Sequence, residues 1–379
     1  MFRSFFIAGF ECASHRDRSG KRLDLARSTG HDRYALADYV RSGELGMKTV
    51  RDGLRWHLIE SSPSDYDFSS ALHFVRSARK AGVEVIWDLC HYGWPDHIDV
   101  FSPRFIKSFA RYAALFASIA AGESDGPHIF VPINEISYLA WAAGEAGYIY
   151  PNVRGRGSEL KDQLVRAGLE AIDSIKKVIP GARILFTDPV INVVAHPLRP
   201  LESDAARSYH ESQFEALDML LGRTRSYIGG YQGSVDVLGL NYYPLNQWFY
   251  GDGAHYPNEP VEFFDPSYRP LSDLLKESYL RYKIPLFIAE TGAENERRPL
   301  WLRHVCDEVS IISRSGIPVE GICWYPILDN PGWDDNRYCS HGLWSYPDNE
   351  GARQTYKPLE EELKYQLGLN VLPSLTQSS

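Results

Sequence analysis

Cysteine is scarce in this 379-residue chain: Cys12, Cys90, Cys306, Cys323 and Cys339 are five, an odd number, widely spaced and without a C-x-x-C pair. That pattern argues against a disulfide framework and against a structural zinc site. His-x-His at a strand end and an H-E-x-x-H helix are also missing, so neither a metal nor a cofactor is expected. Positive charge is in deficit, with 40 Lys and Arg against 49 Asp and Glu and a formal net charge of −9. No electrostatic footprint for nucleic acid follows from that balance. No apolar run approaches a membrane span. The opening MFRSFFIAGFECAS is too short for a signal-peptide core, is interrupted by Gly9, and reads as a first strand. The expectation is a soluble protein of a reducing cytoplasm with no nucleic-acid or membrane partner, its oligomeric state open.

What the chain does contain is a pair of glutamates, each at the end of a strand-like run: Glu135 in HIFVPINEIS and Glu290 in IPLFIAETGAE. Both runs are apolar and rich in β-branched or aromatic residues, the composition of a parallel strand buried on both faces. In a (β/α)8 barrel, the C-terminal strand ends carry the catalytic groups. Glycosidic bond hydrolysis requires two carboxyl groups, one to protonate the leaving oxygen and one to attack or to activate water. The pair suggests a glycosidase, with a carbohydrate or glycoside as partner. Aromatics, at 13% with 9 Trp and 23 Tyr, mostly suit a large core and Tyr-rich loops; sugar clefts also use aromatic faces against the C–H face of a pyranose.

Strand and helix patterns alternate along the chain. Strands are expected at Phe5–Phe10, Thr49–Leu54, Val83–Leu89, Ile129–Ile133, Arg183–Phe186, Val235–Asn241, Leu286–Ala289 and Gly321–Trp324. Helices are expected at His31–Leu45, Ser69–Lys80, Pro103–Ala121, Glu159–Val178, Asp204–Leu221, Leu271–Arg281, Leu300–Ser315 and Lys357–Gln366. Gly or Pro at Gly82, Pro180-Gly181 and Gly316-Ile317-Pro318 marks helix ends. Eight alternating units predict an α/β fold, the (β/α)8 TIM barrel, as a single domain over residues 1–371 with a loose tail, Leu372–Ser379. A doubly wound open sheet is the rival, but no G-x-G-x-x-G follows the first strand. Two long aromatic excursions, Asn241–Tyr268 and Tyr325–Thr355, fall on the face where barrel active sites form.

In the order and wording of its strand ends, the chain resembles the family 1 glycoside hydrolases, the β-glucosidase type of retaining barrel glycosidases, from Phe6 to about Trp344. The resemblance rests on Asn134-Glu135 after strand four, Glu290-Thr291-Gly292 after strand seven, and Arg51 in RDGLRW. It rests further on His91 in LCHYGWP, Asn241 and Tyr243 in GLNYY, and Trp324, Leu328-Asp329-Asn330 and Trp333 beyond strand eight. It implies that Glu290 is the nucleophile and Glu135 the general acid/base, with Arg51, His91, Asn134, Asn241, Tyr243, Trp324 and Trp333 binding substrate. Taken singly, each has a plainer reading. A strand-end glutamate can cap a helix, Arg51 can be a structural ion-pair partner, His91 a satisfied core histidine, and Asn241 and Tyr243 rim packing. Asp88, Glu11 and Asp335 have no assignment.

The implied activity is a retaining exo-β-glycosidase working through a covalent glycosyl-enzyme intermediate. An endo-acting or transglycosylating enzyme of the same clan, or a catalytically silent sugar-binding barrel, stays open beside it. The chain departs from the family in three ways. No clear Gln stands in the first-strand segment FECASHRDRSG, Gly332 stands where the family carries a carboxylate before the second Trp, and Ile136 replaces the usual Pro. Two anchors for the distal edge of a glucose ring are thus absent, so a plain β-glucoside is not the expected substrate. His15, Arg16, Asp17, Arg18, Asp334 and Asp335 are candidate replacements, and a basic set would suit an anionic sugar.

Overall fold

In the computed structural model, which describes residues 1–253, 257–333, 335 and 337–369, the expected strand runs form eight parallel strands. They are β1 (Phe6–Gly9), β2 (Thr49–Gly53), β3 (Glu84–Cys90), β4 (Ile129–Ile133), β5 (Arg183–Pro189), β6 (Val237–Asn241), β7 (Leu286–Thr291) and β8 (Val319–Trp324). Each pairs with its neighbour in sequence, and β1 closes on β8 with Phe6 opposite Ile322 and Ala8 opposite Trp324. The result is a closed barrel, which leaves no exposed sheet edge.

Closure explains why most of these strands read as largely apolar on both faces. Inward positions (Ile7, Ile86, Val131, Leu185, Val237, Phe287, Ala289, Cys323) pack into one small cluster within the barrel. The alternate positions (Phe6, Ala8, Val50, Phe130, Ile184, Leu238, Ile288, Ile322) join the larger core between strands and helices. Eight helices cover that outer layer: α1 (His31–Glu44), α2 (Ser69–Ala81), α3 (Pro103–Glu123), α4 (Gly157–Val178), α5 (Ser203–Glu211), α6 (Leu271–Tyr282), α7 (Arg298–Arg314) and α8 (Lys357–Gly368). Helix α2 ends at Gly82, whose φ of 69° is the left-handed C-cap that only glycine adopts without steric cost.

The helix expected over Asp204–Leu221 is broken. After α5 the chain tightens into a 3-10 turn at Ser212–Phe214 before resuming at Glu215–Leu220. The buried Gln213 side chain explains the turn, since it accepts from Ile191 N at 2.9 Å and donates to Ile191 O at 3.2 Å. The excursion after β6 contributes to a small three-stranded sheet, in which Gln247–Phe249 pairs with Asn192–Val194 and with Glu259–Pro260. The expected tail, 372–379, lies outside the described residues. All five cysteines are free and buried, and among the described residues no helix is long and apolar enough to cross a membrane.

One buried ionic cluster ties the last excursion to the start of the barrel. His31 on α1 bonds Asp38 at 2.9 Å and Asp52 of β2 at 2.8 Å, between the rings of Phe10 and Phe74. Arg353 donates to both oxygens of Asp38 at 2.7 and 2.9 Å. Burial disfavours the imidazolium, but the two aspartates outweigh it and push His31 up to about 9. Relative to an unfolded histidine near 6.5, this contributes about 3 kcal/mol that is fully present below pH ~6.5 and lost as pH rises through ~9. Wild-type Tm should therefore fall between pH 7 and 9.5. The already less stable His31→Gln variant should lack that alkaline loss; scanning calorimetry across this range checks it, and parallel curves would refute it.

Candidate active site

Arg51, in the middle of β2, is completely buried and spends all five of its N–H groups. Nε and Nη2 grip Asp88 at 3.0 and 2.7 Å, Nη2 also donates to Asn134 Oδ1 at 2.7 Å, and Nη1 donates to Glu290 Oε1 and Ala289 O, both at 2.9 Å. One guanidinium thus joins the C-terminal ends of β2, β3, β4 and β7. The Tyr325 ring lies 5.4 Å beneath it.

Asn134 is oriented by two donors on Oδ1, Arg51 and the Thr187 hydroxyl at 2.7 Å. Its Nδ2 is left facing Tyr92 Oη at 3.1 Å and His91 Nε2 at 3.2 Å. Glu135 follows in a left-handed conformation (φ 48°), its N–H donating to Thr187 O at 2.9 Å. Ser137 N bonds Asp188 just beyond it, at 3.1 Å. This backbone turn aims the Glu135 carboxyl inward, where Asn241 Nδ2 donates to Oε1 at 2.8 Å and the Tyr92 hydroxyl donates to Oε2. The Tyr243 hydroxyl donates to Glu290 Oε2 at 3.0 Å. Gly292 is required at its position, because a Cβ there would meet Tyr325 O at 2.5 Å.

The two carboxyls differ in their company. Burial raises the pKa of both, but Glu290 faces the Arg51 guanidinium and, farther off, His91, which pull it back toward the ionised form. Glu135 has the neutral donors Tyr92 and Asn241, which with the more distant His91 also favour its ionised form, while Asp188, itself pushed up to about 7 by burial, adds like charge beside it. The direct partners of Glu290 thus include a cation, and those of Glu135 do not.

The structure brings Arg51, Asn134, Glu135, Asn241, Tyr243 and Glu290 into one bonded cluster, with His91 attached through Asp88 at 2.8 Å. Trp333 forms part of the wall, its ring 5.5 Å from Tyr92 and 4.7 Å from His15. Trp324 is a correction. It points away from the barrel axis into the layer between strands and helices, with Nε1 donating to His341 O at 3.0 Å. Its neighbour Tyr325 takes the inward position, stacked on His91 at 5.8 Å between centroids. Strand alternation makes a one-residue offset a change of face.

Three residues without a sequence assignment join the site. Asp88 neutralises Arg51 and holds His91; burial opposes its charge, but Arg51 and His91 draw its pKa below the usual range. Glu11, just past β1, accepts from Ala13 N at 2.9 Å and from the Tyr325 hydroxyl at 3.4 Å, with His91 Nε2 at 3.8 Å. Tyr92 contacts both Glu135 and Asn134. Asp88 was findable as a charge inside an apolar strand; no comparable signal singles out Tyr92. Asn241 Oδ1 is buried without a partner among the described residues, an acceptor suited to a ligand hydroxyl. Cys12, Asp88 and His91 come close enough to share an ion, but Asp88 already spends both oxygens on Arg51.

Of the proposed replacements in the first loop, only His15 reaches the wall, and burial lowers its pKa to about 3, so it is neutral. Arg16 and Arg22 pair with Asp96, Asp17 caps its own turn at Ser19, and Arg18 lies over the Tyr148 ring. Asp335 lies against Gly332, its Oδ1 2.2 Å from where a Cβ would project, so the glycine accommodates a carboxylate from farther along the loop. Asp334 lies outside the described residues.

No family model and no curated protein matches the chain. Solved structures do match in fold. A family 1 β-glucosidase from Thermotoga maritima aligns at 15% identity over 96% of each chain, with a TM-score of 0.78. The Thermotoga maritima β-glucosidase in complex with noeuromycin aligns at 16% identity over 98% of each chain, also at 0.78. A hyperthermophilic β-glucosidase mutant described as forming a dodecamer in its crystal aligns at 15% identity over 95% of this chain and 99% of its own, with a TM-score of 0.77. The chain has the barrel fold of those enzymes.

Tyr92→Phe removes a donor that favours ionised Glu135. The Glu135 carboxyl should then titrate about one pH unit higher, since hydrogen bonds to charged groups carry ~1.5–3 kcal/mol. Carboxyl 13C NMR, with the resonance identified by its loss in Glu135→Gln, reads the shift directly. An unchanged or lowered value would remove Tyr92 from this role.

Proposed function

We propose that this barrel is a retaining exo-β-glycosidase in which Glu290 is the nucleophile and Glu135 the general acid/base. The observation that carries the reading is the unequal pairing of two buried carboxyls: Glu290 with the Arg51 cation, Glu135 with neutral donors only. Glu290 attacks the anomeric carbon while Glu135 passes its proton to the departing glycosidic oxygen. The bond to the leaving group breaks and an ester to Glu290 forms. Esterification removes the Glu290 charge, which lowers the cost of ionising Glu135. Glu135 then takes a proton from water as that water attacks the same carbon, releasing the sugar and restoring both groups.

Arg51 and the Tyr243 hydroxyl keep Glu290 ionised and aimed. His91, Asn134, Asn241 and Trp333 would bind the glycone, with Tyr325 in the position expected of Trp324. A glycone other than plain glucose is supported by the first strand end, where Glu11 stands and no Gln is found; the carboxylate expected before Trp333 is instead supplied near Gly332 by Asp335. An ionised acidic sugar is not favoured: Arg51 has no spare donor, and Arg16 and Arg22 are committed to Asp96.

Glu290→Gln should abolish turnover of every glycoside. Glu135→Ala should cut kcat/KM on poorly departing alkyl glycosides by about 10²–10⁴ and leave activated aryl glycosides far less affected, with azide restoring turnover as a glycosyl azide. Proportional losses on both substrate classes, without azide rescue, would remove Glu135 from the role. The first-formed product should keep the β configuration by NMR, as carboxyl groups about 5–5.5 Å apart require; an inverted product would overturn the covalent route.

A further inference from the structure

At the base of the hairpin that carries Trp333, two loops bring a carboxylate, a thiol and an imidazole to one point. The hairpin pairs Asn330–Pro331 with Tyr338–Cys339, Asn330 standing opposite Cys339. His341 follows two positions after Cys339, the spacing that returns to the same side of an extended chain. Glu294 arrives from the loop after β7. Asn295 N donates to Ser340 O at 2.9 Å and sets the two loops in register. The Glu294 carboxylate, Cys339 Sγ and one nitrogen of His341 come within 4.8 Å of one another as a result.

The imidazole is oriented for binding. Asn330 Nδ2 donates to Pro331 O at 3.2 Å, which turns its Oδ1 toward His341 Nδ1 at 3.1 Å. An amide oxygen only accepts, so Nδ1 carries the ring proton and Nε2 is the nitrogen left to bind. That Nε2 faces Glu294 Oε1 at 3.0 Å. A neutral imidazole and a carboxylate so placed present lone pairs to each other, an arrangement that a cation between them satisfies. A ring N–H held by an oxygen acceptor is also the support that metal-bound histidines ordinarily have.

We propose that Glu294, Cys339 and His341 form a site for a divalent transition-metal ion of the zinc class, with water as the fourth ligand. Such ions take thiolate, imidazole and carboxylate together, whereas Mg²⁺ and Ca²⁺ are held by oxygen. Tetrahedral bonds of about 2.0–2.3 Å put ligand atoms roughly 3.3–3.6 Å apart. The nitrogen and oxygen are near that separation already. The Glu294 and His341 side chains, 30% and 26% exposed, leave the ion a way in from water. Binding releases the thiol proton, which Cys339 donates to Arg337 O at 3.7 Å, into solvent. The bound ion ties the Trp333 hairpin to the loop that leaves the Glu290 strand end.

Arg337 competes for the carboxylate, donating to Glu294 at 2.9 and 2.5 Å. Its side chain is half-exposed, and Asp335 Oδ2 lies 3.6 Å from its Nε as another partner. The Cys12, Asp88 and His91 group differs on this point: Asp88 Oδ2 accepts from both Arg51 and His91, and Arg51 is sealed from water. Spacing within the chain gave no sign of zinc because these ligands come from two loops.

Calorimetric titration of the chelator-treated protein with Zn²⁺ should show a single ion bound in the micromolar range or tighter, with Mg²⁺ and Ca²⁺ unable to compete. Co²⁺ in its place should give the near-ultraviolet charge-transfer band of a thiolate ligand. Cys339→Ser should abolish that band. Cys339→Ser, His341→Ala and Glu294→Gln should each weaken Zn²⁺ binding about tenfold or more. Arg337→Gln, a surface change, should tighten it about three- to tenfold by removing a competing cation. Zn²⁺ should raise the Tm of the wild type and leave that of Cys339→Ser unchanged. No Zn²⁺ binding by the wild type, Co²⁺ binding without the thiolate band, or an affinity that survives Cys339→Ser and His341→Ala would overturn the site. Failure of Arg337→Gln to tighten binding would exclude Glu294 as a ligand and overturn the three-residue site.

Discussion

The buried guanidinium of Arg51 is the constraint on which the upper end of this barrel depends. A charge taken out of water costs several kcal/mol even after relaxation, and only good geometry with every donor satisfied recovers it. Arg51 meets that condition through Asp88, Asn134, Glu290 and the Ala289 carbonyl, which lie on three other strands. The bidentate grip of Asp88 leaves the remaining donors pointing along fixed directions. The positions of Asn134 and Glu290 relative to each other are consequences of that geometry. Loss of either partner would strand a charge where water cannot reach it.

From this fixed point the unequal environments of the two glutamates follow. Glu290 is bonded directly to the cation, whereas Glu135 lies on a left-handed turn anchored by Thr187 O and Asp188. Two similar side chains are thereby given unlike partners, one a guanidinium and the other neutral donors, without any difference in residue type. The same turn continues directly into the short helix Ile136–Leu139 and the π-helical turn Ala140–Glu145.

Much of the architecture was legible in the residues. Most of the eight strands could be read because a closed parallel barrel buries both faces, so a strand becomes a short, mainly apolar run; β2, with Arg51 and Asp52, is the exception. Gly82 and Gly316 marked helix ends for reasons internal to the backbone. Glu135 and Glu290 were legible for the complementary reason: a carboxylate closing an apolar strand is costly unless something holds it. The break at Ser212–Phe214 was not legible, because it answers to a hydrogen bond between Gln213 and Ile191, 22 residues away in sequence. Trp324 was misread for a subtler reason. In WYP both aromatic residues are plausible wall groups, and only the phase of β8 against β1 and β7 decides which one turns inward.

The sequence by itself determined the order of strands and helices, the identities of the two carboxylates and most of the polar groups around them. These are properties of periodicity and of residue type at strand ends, encoded within a few neighbouring positions. Only the tertiary structure decided that Asp88 and Glu11 belong to the site, that Tyr92 bonds Glu135, and that Tyr325 rather than Trp324 lies under Arg51. It likewise decided that Gly332 makes room for Asp335, and that Arg16 and Arg22 are spent on Asp96. Each of those outcomes depends on which side chain faces which across strands and loops far apart in the chain, and that pairing exists only once the barrel has closed.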